Sequence, residues 1–120
     1  MSWESEGSVN FKGLAKSLEL EEVEFLELID LFLKTAFPEL IQLQLALDKQ
    51  DASVAERLAH SIKGAAGSLG FRDIYDEARK IEVAARENHL TDIHEGLRII
   101  KGKLNLIADV FKGEDQNAKD

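Results

Sequence analysis

Between Asp51 and Phe71 the chain reads DASVAERLAHSIKGAAGSLGF, and its single histidine, His60, is the residue there best suited to covalent chemistry. A neutral imidazole is a nucleophile near neutral pH through an exposed ring nitrogen. Lys63 and Gly64 follow three and four residues later, the spacing that places side chains on one helix face about 5–6 Å apart, and Gly67 follows one turn on. A cation in that position would offset negative charge on a group arriving at the ring. Glycine costs about 1 kcal/mol relative to alanine inside a helix, so two of them beside an exposed histidine point to a body that approaches closely. The competing reading is that Gly64, Gly67 and Gly70 only fray the end of a helix.

These side chains need a helix to hold them. Val54, Leu58, Ile62, Ala65, Ala66 and Leu69 form one apolar stripe, within about 80° of Leu58 at 3.6 residues per turn, while Glu56, His60, Lys63, Gly64 and Gly67 fall at roughly 140–240°. The stripe faces a core and His60 faces solvent. Asp51 or Ser53 caps the helix.

Upstream, Phe11, Leu14 and Leu18 predict a short helix over 9–17, with Ser17 capping the next one. From Leu20 to Lys34 the apolar positions (Val23, Phe25, Leu26, Ile29, Leu31, Phe32, Leu33) are dense enough that more than one face must be covered. Leu40, Ile41, Leu43, Leu45 and Leu47 continue the pattern to about Lys49, past Pro38, which predicts either a kink near 35–37 or a new helix with Pro38 in its first turn. Downstream, Asp73 is the expected cap of a helix to about Glu87 with an inner stripe of Ile74, Ala78, Ile81 and Ala85. After a turn over 88–90, Thr91 opens a last helix whose stripe (Ile93, Leu97, Ile100, Leu104, Ile107, Phe111) ends near Lys112. Residues 1–8 and 113–120 read as polar tails, with Trp3 able to fold back. Four long amphipathic helices with short connections predict an all-α domain: an antiparallel four-helix bundle with an additional short, lid-like N-terminal helix, spanning 1–120 as one unit.

Composition narrows the function classes. At 120 residues, 44% hydrophobic and one proline, the chain fits one helical core. A net charge of -8 argues against nucleic acid or an anionic membrane as partner, because phosphate backbones are bound through basic patches. With no cysteine there is no disulfide framework or thiolate metal site. No apolar run reaches the roughly 18 residues of a membrane span, and the start MSWESEGSVN lacks the basic and apolar regions of a signal peptide, so the expected location is the cytoplasm. His89 and His94 lie across a turn without further ligands, so no metal and no cofactor are expected. There is no phosphate loop of the G-x-x-x-x-G-K-[ST] type, which opposes an ATP-using enzyme; a plain adaptor bundle is the other competing class.

The run Ala59-His60-Ser61-Ile62-Lys63-Gly64-Ala65-Ala66-Gly67-Ser68-Leu69-Gly70 resembles the signature of histidine phosphotransfer (HPt) domains, and the resemblance extends over roughly Phe25 to Phe111. Ser61-Ile62 with Gly70-Phe71 is also similar to the phosphotransfer domain of chemotaxis histidine kinases, so an excised kinase domain stays open. The resemblance implies a phosphocarrier, not an autonomous kinase, that relays a phosphoryl group through His60 between receiver-domain aspartates or from an upstream histidine kinase. It implies Lys63 as the charge-offsetting residue and Glu82 as the carboxylate that binds the second ring nitrogen of His60; a salt bridge of Glu82 to Arg79 or Arg86 is the alternative. Glu56, Arg57, Ser61, Gly64, Gly67, Ser68 and Arg79 are the expected partner-binding positions, although Ser61 and Ser68 also fit ordinary exposed polar sites. The chain is expected to act as a monomer.

Overall fold

Among the described residues five helices form where the apolar periodicity changes phase, and the residues between them take the backbone conformations that end helices. The computed structural model describes residues 9–91 and 93–119; the expectations for residues 1–8, Trp3 included, lie outside them. The helices are α1 (Phe11–Ser17), α2 (Glu22–Asp48), α3 (Ala52–Leu69), α4 (Arg72–Arg86) and α5 (His94–Lys119), and no strand occurs among the described residues.

Asn10 caps α1 by accepting from the Gly13 N–H. Ser17 does not cap α2 as its residue type suggested, because α1 runs through it; Glu19 then takes a left-handed conformation (φ 59°) that reverses the chain. The cap falls on Glu21, whose N–H donates to the Glu24 side chain at 2.9 Å. α2 continues unbroken through Pro38 for 27 residues, so proline neither ends it nor starts a new helix. Buried side chains on both sides of Pro38 supply the reason: Phe32, Leu33 and Ala36 before it and Leu40 and Leu43 after it all pack into the core, and each large apolar side chain buried contributes about 1.5–3 kcal/mol, which outweighs one lost hydrogen bond.

Asp51 caps α3 by accepting from the Val54 N–H at 3.2 Å. On α3 the buried set is Ala55, Leu58, Ala59, Ile62, Ala66 and Leu69; Ala65, placed on the inner stripe by spacing alone, is exposed. Gly70 ends the helix in the left-handed region (φ 85°), where glycine has no Cβ penalty, and the Phe71 N–H closes back on the Ala66 carbonyl at 2.9 Å. This turn is so short that Phe71, not Asp73, occupies the cap position of α4. Asp73 instead lies 3.6 Å from Lys103 of α5. Asn88, at φ 60°, takes the same role after α4 that Gly70 takes after α3.

α5 begins at His94 and not at Thr91: Ile93 is buried just ahead of it, and its carbonyl accepts from the Leu97 N–H. It runs on through Gly113 to Lys119, past the end of the apolar stripe at Phe111. Once a helix is nucleated, each added residue gains one hydrogen bond without a new nucleus, so the segment assigned to a polar tail is helical.

α2 packs on α3, α3 on α4, α4 on α5 and α5 on α2, which closes a ring of four helices around Ile29, Leu43, Ile62, Ile74, Ile100 and Leu104. α1 packs on α2 through Phe11, whose ring meets Phe25 edge-on at 5.7 Å. Phe71 lies 5.4 Å from Phe32, so the turn between α3 and α4 is fixed to α2. This fixes the relative placement of α3 and α4, the two helices that carry His60 and Glu82.

Candidate functional site

The seam between α3 and α4 brings together residues 22 positions apart in the chain. His60 stands outward, its side chain 67% exposed, and its Nδ1 lies 2.6 Å from Glu82 Oε2. Glu82 belongs to the face of α4 that also buries Ala78, Ile81 and Ala85, and it is the one buried charged side chain among the described residues, with its side chain 5% exposed. Its other oxygen, Oε1, accepts from Lys63 Nζ at 2.7 Å. One carboxylate thus takes a bond on each oxygen from α3, one from the ring and one from the ammonium a turn later.

Burial is the largest single influence on the Glu82 carboxyl and pushes its pKa up. The hydrogen bonds from Lys63 and His60, with the positive charges behind them, act in the opposite direction and together hold it below its ordinary value of 4.5. Glu82 is therefore an anion near neutrality and can only accept hydrogen bonds. At 2.6 Å from an acceptor-only oxygen, Nδ1 must carry a proton. In the neutral ring the free lone pair is then on Nε2, on the side of the imidazole away from Glu82.

Lys63 is engaged inside the seam. Its ammonium is engaged with Glu82, and its side chain is only 21% exposed. It balances the buried carboxylate, which would otherwise be an unpaired charge in the seam. Arg86, one turn after Glu82, lies 3.5 Å from Glu82 Oε2 and donates from Nε to Glu56 Oε2 at 2.9 Å. The hydrogen bond and charge of Glu56 come first among the influences that raise the Arg86 pKa. The arginine beside Glu82 is thus Arg86, one of the two that the sequence offered with Arg79; the i, i+4 spacing of Glu82 and Arg86 was the available signal.

The remaining predicted positions divide. Ser61 donates to Glu39 Oε2 of α2 at 2.6 Å and ties two helices together. Ser68 donates to the Gly64 carbonyl at 3.0 Å. Arg57 and Arg79 are exposed and have no ion-pair partner among the described residues. The two glycines are not equivalent. A Cβ on Gly64 would meet nothing within 4 Å, so this position is bare toward solvent, one turn from His60. A Cβ on Gly67 would stand 3.0 Å from Tyr75 Cδ2, so this glycine makes room for a side chain of α4. Neither reading requires a frayed helix: α3 continues through both to Leu69.

No group of three or more His, Cys, Asp or Glu side chains that could hold a metal converges among the described residues, and His89 lies beside Glu87. No described helix is long and apolar enough to cross a membrane.

Comparison with known proteins bears on the same seam. The model of the Hpt domain family matches residues 27–110, which include all of α3 and α4. Among solved structures, the fold is similar to the crystal structure of histidine-containing phosphotransfer protein B (HptB) from Pseudomonas aeruginosa PAO1, at a TM-score of 0.78 and 26% sequence identity, covering 90% of this chain and 94% of that one. No curated protein sequence matches the chain.

Proposed function

The chain belongs to the Hpt domain family as a histidine phosphotransfer protein of two-component phosphorelays, and on that premise we propose that His60 is its phosphoacceptor. The observation that carries the reading is the contact of Nδ1 with a buried, ionised Glu82, which leaves the lone pair on an outward Nε2. In the transfer, Nε2 attacks the phosphorus of an aspartyl phosphate on a receiver domain. The N–P bond forms as the bond from phosphorus to the carboxyl oxygen breaks, and the receiver's carboxylate leaves with that electron pair. The ring becomes positive as the bond forms, and the Glu82 carboxylate at Nδ1 stabilises it. The reverse attack by a second receiver's carboxylate regenerates the neutral ring.

Glu82 orients the ring and selects the tautomer, and Lys63 acts through Glu82 by keeping it ionised. Gly64 leaves the space through which the receiver's active site reaches Nε2. Glu56, Arg57, Ser61, Ser68 and Arg79 surround this approach as partner-binding positions, and Gly67 contributes through the placement of Tyr75. The same proposal includes an antiparallel four-helix bundle formed by α2–α5, with α1 as an addition, supported by their closed ring of contacts and short connections. It includes a single cytoplasmic chain that partners receiver domains and a histidine kinase; the net charge of -8 disfavours nucleic acid and anionic membranes.

The test is incubation of the purified chain with a phosphorylated receiver domain in the absence of ATP, followed by mapping of the acid-labile phosphoryl group. Label on His60 is the expected outcome. Label that appears only with ATP, from this chain alone, would replace the carrier with a kinase, and no label under either condition would leave an adaptor.

A further inference from the structure

Beyond His60 along α3 the surface is unusually low. Gly64 and Gly67 lie about 6 and about 10 Å further along the helix axis, and with Ser68 and Gly70 they leave a shallow depression of about 460 Å³ against α4. Its far wall is Tyr75 and Arg72. The Arg72 guanidinium lies 5.7 Å from the centroid of the Tyr75 ring, so the two side chains stack as one unit. The ring reaches this place because position 67 has no Cβ, as the 3.0 Å approach to Cδ2 requires.

Two features of this pair have no use inside the chain. The half-buried Tyr75 ring carries a hydroxyl with no hydrogen-bond partner among the described residues, and Arg72 has no ion-pair partner there. Arg72, Arg79 and Arg86 also recur every seven residues on α4, a spacing that keeps them on one edge with a drift of about 20° per repeat. Arg86 is engaged with Glu56 and Glu82, whereas the other two are free. Arg72 and Arg79 are thus two arginines without an ion-pair partner among the described residues on the edge of α4 beside the His60 seam, with the exposed Asp76 between them in the chain.

We propose that Tyr75 and Arg72 form a docking ledge that selects the receiver domain, rests on the reading of His60 as phosphoacceptor, and acts on affinity and not on the chemistry. The occupant is the receiver domain itself. It lays an apolar side chain across Gly64 and Gly67 onto the Tyr75 ring, and a neighbouring carboxylate or carbonyl accepts from the tyrosine hydroxyl and from Arg72. The depression begins at Gly64, one turn from His60, so a body that brings a phosphoryl group to Nε2 extends over it. Tyrosine and arginine are also the residue types that concentrate binding energy at interfaces.

The experiment compares two phosphoryl donors on each variant. Phosphoramidate is a small donor that needs no docking: Nε2 of His60 takes the phosphoryl group and ammonia leaves. The second donor is the phosphorylated receiver domain, chosen as the one from the source genome that exchanges fastest with the wild-type chain. Tyr75→Ala and Arg72→Ala are each expected to raise KM for the receiver roughly tenfold, with the rate at saturation and the phosphoramidate labelling of His60 unchanged. Tyr75→Phe keeps the stacking surface and loses the hydroxyl, so it falls between wild type and Tyr75→Ala. Gly67→Ala, which displaces the ring, also raises KM. An unchanged KM in both alanine variants overturns the ledge. Equal slowing with both donors overturns it too, because Tyr75 would then be supporting the His60 seam itself. A wild-type chain that neither donor labels on His60 removes the phosphoacceptor reading, a result distinct from either of these.

Discussion

The α2/α5 seam carries an apolar groove of about 550 Å³ lined chiefly by Phe37, Leu40, Ile41, Leu45 and Leu97, whereas the depression beside Gly67 on the α3/α4 seam, at about 460 Å³, is lined by glycines, Ser68, Arg72 and Tyr75. The two seams lie across the ring of helices from one another. Ile41 and Leu45 are 64% and 51% exposed, so the groove is incompletely closed packing between two helices, with no buried ionisable group in it. The α3/α4 seam holds instead one buried carboxylate, two hydrogen bonds to it and an exposed nucleophile. A small-molecule enzyme puts its chemistry in a hollow that encloses its substrate. A carrier that reacts with the surface of another protein needs its reactive atom outside, on a face kept low around it, and the bare position at Gly64 meets that need.

The largest expected effect separates the two seams outright. His60→Gln is expected to abolish phosphoryl acceptance from a receiver while the chain stays folded, at a cost of about 1 kcal/mol for the lost bond to the buried Glu82. Acceptance at the wild-type level would move the site to His89 or His94 and dissolve the contrast. Gly64→Gln comes next: the side chain enters the space over which the partner approaches, so transfer is expected to fall at least about tenfold, while the helix gains about 0.5–1 kcal/mol from the loss of a glycine. Measured transfer equal to wild type, in a variant that melts no lower, would mean that the bare position has no part in approach.

Glu82→Gln tests the buried half of the seam. Removing the charge leaves Lys63 facing a neutral amide and loosens the ring, so we expect slower transfer and a loss of about 1–3 kcal/mol in stability. The pH dependence has a definite sign. In the folded chain the Glu82 carboxyl titrates below 4.5, so between the lowered value and 4.5 the folded state binds fewer protons than the unfolded state. Its contribution is complete above that interval and is lost as pH falls through the lowered value. Melting curves of wild type and Glu82→Gln between about pH 7 and pH 3 should therefore converge on acidification; a constant gap would show that the carboxylate is not the titrating member of the network.

The smallest effect is expected across the ring. Leu45→Gln or Ile41→Gln replaces an already exposed apolar side chain in the groove and should change stability by less than about 0.5 kcal/mol, with transfer from the receiver untouched. A transfer defect in either variant would break the division of labour between the seams.

Much of this was set by spacing alone. Leu58, Ile62 and Leu69 fixed which face of α3 turns inward and therefore that His60 turns outward, because 3.6 residues per turn leaves no freedom once an apolar stripe exists. Ile74, Ala78, Ile81 and Ala85 did the same for α4, and Gly70 marked the end of α3 because only a left-handed residue lets the chain turn so sharply there. Local chemistry was less decisive at the boundaries. Ser17, Asp73 and Thr91 are good capping types, but the caps and starts were decided by where neighbouring helices had to bury Phe25, Phe71 and Ile93. What the sequence could not decide was pairing across 22 residues of chain. Glu82 lies at the edge of an apolar stripe, a place that suits a solvated carboxylate as well as a buried one. Only the packing of α4 on α3, with Phe71 seated against Phe32, set its oxygens against both His60 and Lys63. The same packing assigned the two glycines. Gly64 and Gly67 share a face and a composition, and their difference exists only because Tyr75, from the next helix, lies over one of them.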